Sequence, residues 1–141
     1  MKIYNKFFNE YLDINPELGS FIGYRKYDES YSISISKEYR NKYYSLCENY
    51  LNKLQKDKNI DKNDIYIKSF KYFLEIELDG KKFENYYLIP LGPNDNYILN
   101  FIELLLGESY LPLKTIKSYE NMINQLRGFK EWIDIAMENM K

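Results

Sequence analysis

Histidine is missing from all 141 residues, and cysteine occurs once, as Cys47. Without imidazole there is no His-ligated zinc site, and no Ser-His-Asp or Cys-His nucleophilic system. One cysteine forms no internal disulfide, so the fold does not draw on an oxidising compartment. Cys47 falls among apolar positions of an expected helix, where a buried, inert thiol is the default. Excess charge is also lacking. A formal net charge of -1 gives no electrostatic pull toward nucleic acid or an anionic membrane. Long apolar runs are absent, because Glu103 interrupts the best one, Phe101 to Leu106, far short of the ~20 residues of a membrane span. The opening Met1-Lys2-Ile3-Tyr4-Asn5-Lys6 has no apolar signal region. The glycines, Gly19, Gly23, Gly80, Gly92, Gly107 and Gly128, never group into a phosphate-binding loop. A soluble, cytoplasmic chain without a cofactor, nucleic acid or membrane partner is the expectation.

What is present suits one domain, long enough to bury roughly 70% of the surface its unfolded chain exposes. The composition is 45% hydrophobic and 29% charged, ordinary for a globular protein, with 16 tyrosines among the apolar positions. Tyr4, Phe7, Phe8 and Tyr11 predict a helix over about Ile3 to Ile14. Asn15-Pro16 restarts the chain as cap and first helical residue, and a short helix runs to Gly23. Residues 24–36 read as irregular or extended. Ser36 caps the clearest helix, Lys37 to Lys56, whose Tyr39, Tyr43, Leu46, Cys47, Tyr50 and Leu54 share one face. Asp61 is the expected cap of a helix from Lys62 to Leu78, although Ile65-Tyr66-Ile67 also suits a strand. An extended segment near residues 83–93 follows, since Pro90 and Pro93 forbid a continuous helix. Ile98 to Gly107 is helical again. Thr115 caps a helix carrying Ile116, Tyr119, Ile123 and Leu126, weakened at Gly128 and continued by Phe129, Trp132, Ile133, Ala136 and Met140. The fold class is all-α: a single domain of about five to six helices over residues 1–141.

Three groups of residues offer chemistry. Asp57 to Asp64 imitates the opening of an EF-hand loop, but its sixth position is Lys62 rather than Gly and its twelfth is Lys68 rather than Glu. A capped turn between helices explains the same residues more simply. Glu75, Glu77 and Asp79 could pair as general acid and base, against the simpler reading of a solvated helix face. Tyr24, Arg25, Tyr27 and Asp28 mix aromatic and charged groups in a loop and are the candidate binding residues. The competing reading is an Arg–carboxylate tie that holds the loop down.

The order of features carries a resemblance. Phe7-Phe8-Asn9-Glu10-Tyr11-Leu12 leads into Asn15-Pro16-Glu17-Leu18-Gly19, then Gly23 and Tyr27-Asp28. A long helix opens at Ser36 and another follows Asp64, before Leu88-Ile89-Pro90-Leu91, Pro112, Thr115, Tyr119-Glu120 and Leu126. This order resembles the amino-terminal part of the bacterial domain of unknown function 885 family. Its members are large helical proteins similar to zinc metallopeptidases, with a His-Glu-x-x-His helix much later in the chain. The resemblance spans nearly all of this sequence but only the front of the family. With no histidine here, none of the family's zinc ligands has a counterpart. The resemblance implies a non-catalytic helical domain, a truncated or split counterpart that packs against a separately encoded remainder or another protein chain. Two other readings stand beside it: a binding module with a pocket lined by Tyr24, Tyr27 and Tyr31, and a carboxylate enzyme using Glu75 and Glu77.

Overall fold

The computed structural model of the chain describes residues 2–83, 97–107, 111 and 113–141. Its elements are α1 (Ile3–Ile14), α2 (Pro16–Phe21), a single 3-10 turn (Arg25–Tyr27), α3 (Lys37–Lys56), α4 (Ile65–Gly80), α5 (Tyr97–Leu105) and α6 (Ile116–Asn139). The fold is all-α, and the described residues form six helices and no strand. The extended segment expected near 83–93 lies outside the described residues except for Phe83, which is exposed.

α3 begins where its sequence says it should, because the Ser36 side chain accepts the Tyr39 N–H at 3.1 Å. Its face of Tyr43, Leu46, Cys47, Tyr50 and Leu54 is buried. That face packs on Phe7 of α1 and on Phe70 and Leu74 of α4 to make the first apolar core. Phe7 sits edge-on to Tyr50 and Phe70, with ring centroids 5.3 and 5.1 Å away. The Tyr50 hydroxyl donates to Glu10 Oε1 at 2.6 Å, so that buried polar atom is satisfied across the α1–α3 seam.

α4 starts three residues later than its sequence suggests. Asp61 instead accepts the Asn63 N–H at 2.8 Å in a local turn, and Asp64 caps the helix by accepting the Tyr66 N–H at 2.8 Å. Both aspartates are competent caps. The turn at 61–63 brings Ile67, Phe70 and Leu74 to face α3, which decides between them.

The second core joins α5, α6 and the segment before α3. Phe101 and Phe129 stack with centroids 3.9 Å apart, Tyr31 meets both edge-on at 5.7 Å, and Trp132 lies against Phe129. Ile35 is buried in this cluster while its neighbour Ser36 caps α3, so the 31–36 stretch ties the two cores together. α6 runs unbroken through Gly128. A methyl group there would lie 2.6 Å from Tyr31 Cβ, so close approach of the 24–36 segment accounts for the glycine.

Candidate functional site

The loop holding Tyr24, Arg25, Tyr27 and Asp28 is built by the end of α2. Gly23 takes φ +95°, a conformation that side chains disfavour, and the next N–H, that of Tyr24, donates back to Gly19 O at 2.9 Å. The chain then folds into the 3-10 turn. Tyr27 is buried with its ring against Gly19, where any Cβ would collide with it. Its hydroxyl donates to Asp13 Oδ1 at 2.6 Å. Burial, then the Asp13 hydrogen bond, push the Tyr27 phenol above its ordinary value. Lys26 sits 4.3 Å over the same ring and 3.6 Å from Asp13.

Arg25 and Asp28 form an ion pair at 3.6 Å, the tie that the sequence suggests. Asp28 is buried, and its backbone carbonyl accepts Gln125 Nε2 from α6 at 2.7 Å. Tyr24 is exposed. The four residues thus share one loop and have different tasks. Tyr27 and Asp28 fasten the loop to α1, α2 and α6, while Tyr24 and Arg25 present an aromatic ring and a cation at its surface. Tyr31 packs into the second core.

Glu17 belongs to the same junction and is not evident from the sequence. Its Oε1 accepts both the Ser32 N–H at 2.6 Å and the Ser32 hydroxyl at 3.0 Å. Burial pushes the Glu17 carboxyl above its usual value, and the two Ser32 donors oppose that shift. Nothing local signals this bond, since its partners are 15 residues apart.

An open cleft of about 920 Å³ lies elsewhere, between the start of α1, the second half of α3 and the α3–α4 turn. Lys2, Lys6, Lys53 and Lys56 line it together with Asp57, Asp61 and Asp64. Each aspartate already accepts a nearby backbone N–H, from Asn59, Asn63 and Tyr66 respectively. The EF-hand-like stretch is therefore a series of capped turns. Lys53 rests 4.1 Å over the Tyr50 ring, and Lys2 lies 5.6 Å from both Tyr4 and Tyr66. Mixed charge and wide opening make this a solvated groove with a cationic rim.

The acidic trio on α4 is dispersed among separate partners. Glu75 pairs with Lys71 at 3.4 Å, Asp79 pairs with Lys82 at 2.6 Å, and Glu77 faces Tyr43 and Cys47. Cys47 is fully buried, and desolvation pushes its thiol up to about 11. Among the described residues no group of three or more His, Cys, Asp or Glu side chains could hold a metal ion. No described helix is long and apolar enough to cross a membrane. No family model matches the chain, and neither a curated protein nor a solved structure is similar to it.

Proposed function

We propose that the chain is a non-catalytic helical domain that works by packing against a separately encoded chain, the catalytic remainder of a zinc-peptidase-like protein. The observation that supports this reading is α4, which is apolar on two opposite sides. Phe70 and Leu74 are buried against α3, while Ile65, Tyr72 and Ile76 stand in the solvent on the far side. Spacings of seven and four residues put those three on one stripe of the helix. A helix apolar all round is one that other elements cover on both sides. The resemblance to the front of a larger family supplies the identity of the cover: the later helices of such a protein. Substrate chemistry would then belong to the partner, and the loop at Tyr24 and Arg25 would lie on this chain's side of the assembly.

A native pull-down of the chain, with intact-mass analysis of everything retained, tests the reading. The expected result is a larger chain bearing His-Glu-x-x-His that is recovered with the wild type and lost with Ile76→Glu. Recovery of the lone 17.1 kDa chain under both conditions overturns it.

A further inference from the structure

The first half of α6 places its polar side inward. Its buried residues are Asn121 and Gln125, joined further along by Phe129, Trp132 and Ala136. Of the apolar residues of that half, Met122 packs against the second core while four face water: Ile116 is 82% exposed, Tyr119 50%, Ile123 45% and Leu126 45%. Their alternating steps of three and four continue through Lys130, Ile133, Met137 and Met140, all exposed except the half-buried Ile133. Such a pattern, sustained along the helix, is the a and d seam of a coiled-coil heptad. At 3.6 residues per turn it lies roughly 120° around α6 from the buried side. Apart from Ile133, which packs against the second core, the described residues leave this seam open to solvent.

We propose that this seam pairs α6 with the α6 of a second copy, antiparallel, in a homodimer. Charge and register select that occupant. The flanking e positions are Glu120, Arg127 and Asp134, alternating in sign. With a two-fold axis between Ile123 and Leu126, Ile123 meets Leu126 of the second copy and Ile116 meets Ile133. Glu120 then comes within about 3 Å, along the axis, of the level of Arg127 of the second copy. Symmetry repeats that pair. Lys130, the one charged residue on the seam, comes opposite Tyr119, where a cation can sit on an aromatic face. A single lysine at an a position is a register-setting residue. A parallel pair would instead put Lys130 against Lys130 and set Glu120 beside Thr115 of the second copy, away from Arg127.

Sedimentation equilibrium of the full chain over a concentration series tests this. The mass is expected to climb from 17.1 kDa toward twice that value. Ile123→Glu should hold the chain monomeric with unchanged helical circular dichroism, since residue 123 is half in water already. Glu120→Arg should weaken the dimer roughly tenfold by turning two attractive pairs into two repulsive ones. Adding Arg127→Glu should restore it. A chain that stays monomeric at every concentration overturns the proposal, as does a dimer indifferent to Ile123→Glu. A double swap that fails to restore association overturns the antiparallel register. The seam is on α6, so these outcomes are separate from the α4 test. A monomer that still retains the His-Glu-x-x-His chain rejects the dimer alone.

Discussion

Gly128 and Tyr31 approach so closely that a methyl group on the glycine would lie 2.6 Å from Tyr31 Cβ. Tyr31 is held there by Phe101 and Phe129, both edge-on to it, so it has little room to retreat. Alanine at 128 gains about 1 kcal/mol of helix propensity. It also forces an overlap with an atom fixed next to the backbone, at about 1–3 kcal/mol. Gly128→Ala is therefore expected to be neutral to destabilising, by up to about 2 kcal/mol in urea unfolding. A stabilised variant would show that the 24–36 segment does not lie on α6 as described.

Tyr27 separates two contributions that a truncation would merge. Its ring packs on Gly19 and its hydroxyl donates to Asp13 at 2.6 Å. Asp13 is 65% exposed, so the bond is weaker than its length suggests. Tyr27→Phe is expected to cost about 1 kcal/mol, and Tyr27→Ala about 3–5 kcal/mol through the cavity left under the loop. Paired urea denaturation curves measure both. Equal losses would mean that the hydroxyl bond, not the ring, holds the loop.

How much of this was legible in the sequence follows from range. α3 was readable to the residue, since a cap at Ser36 and an uninterrupted stripe from Tyr43 to Leu54 are local signals. The start of α4 was not, because Asp61 and Asp64 are equally good caps until contact with α3 chooses. In α6 spacing revealed a helix but not its inward face: Ile116, Tyr119, Ile123 and Leu126 form a regular row, yet Asn121 and Gln125 are buried. The Arg25–Asp28 tie spans three residues and was foreseeable. The Glu17–Ser32 and Asp28–Gln125 bonds span 15 and 97 residues and depend on the completed fold.

Glu17 gives the junction a pH signature. Its carboxyl is raised above the ordinary 4.5 by burial, so the folded chain holds the proton more tightly than the unfolded chain does. Its contribution to stability is fully present below the unfolded value and is lost as pH rises through the folded one. Glu17→Gln keeps an acceptor for Ser32 and cannot ionise. Its stability relative to wild type should rise as pH goes from acidic to neutral, read as the difference between two urea curves at each pH. Parallel curves at every pH would contradict a desolvated carboxyl at this position.

Cys47 reports on the other core. It is fully buried where α3 packs against α4, and desolvation, with the nearby Glu77 charge acting in the same direction, pushes its thiol up to about 11. At pH 8 only about one thiol in a thousand would be thiolate even if a reagent reached it. Access and ionisation therefore both oppose modification in the folded chain. Labelling by an aromatic disulfide at pH 8 should proceed at the rate at which the α1–α3–α4 core opens, and should accelerate with urea in step with unfolding. The 17.1 kDa chain has no second cysteine, so the signal has one source. Stoichiometric labelling within minutes, independent of urea, would show that α4 does not seal this face of α3. In that case the exposed stripe at Ile65, Tyr72 and Ile76 could no longer be treated as the outer side of a packed helix.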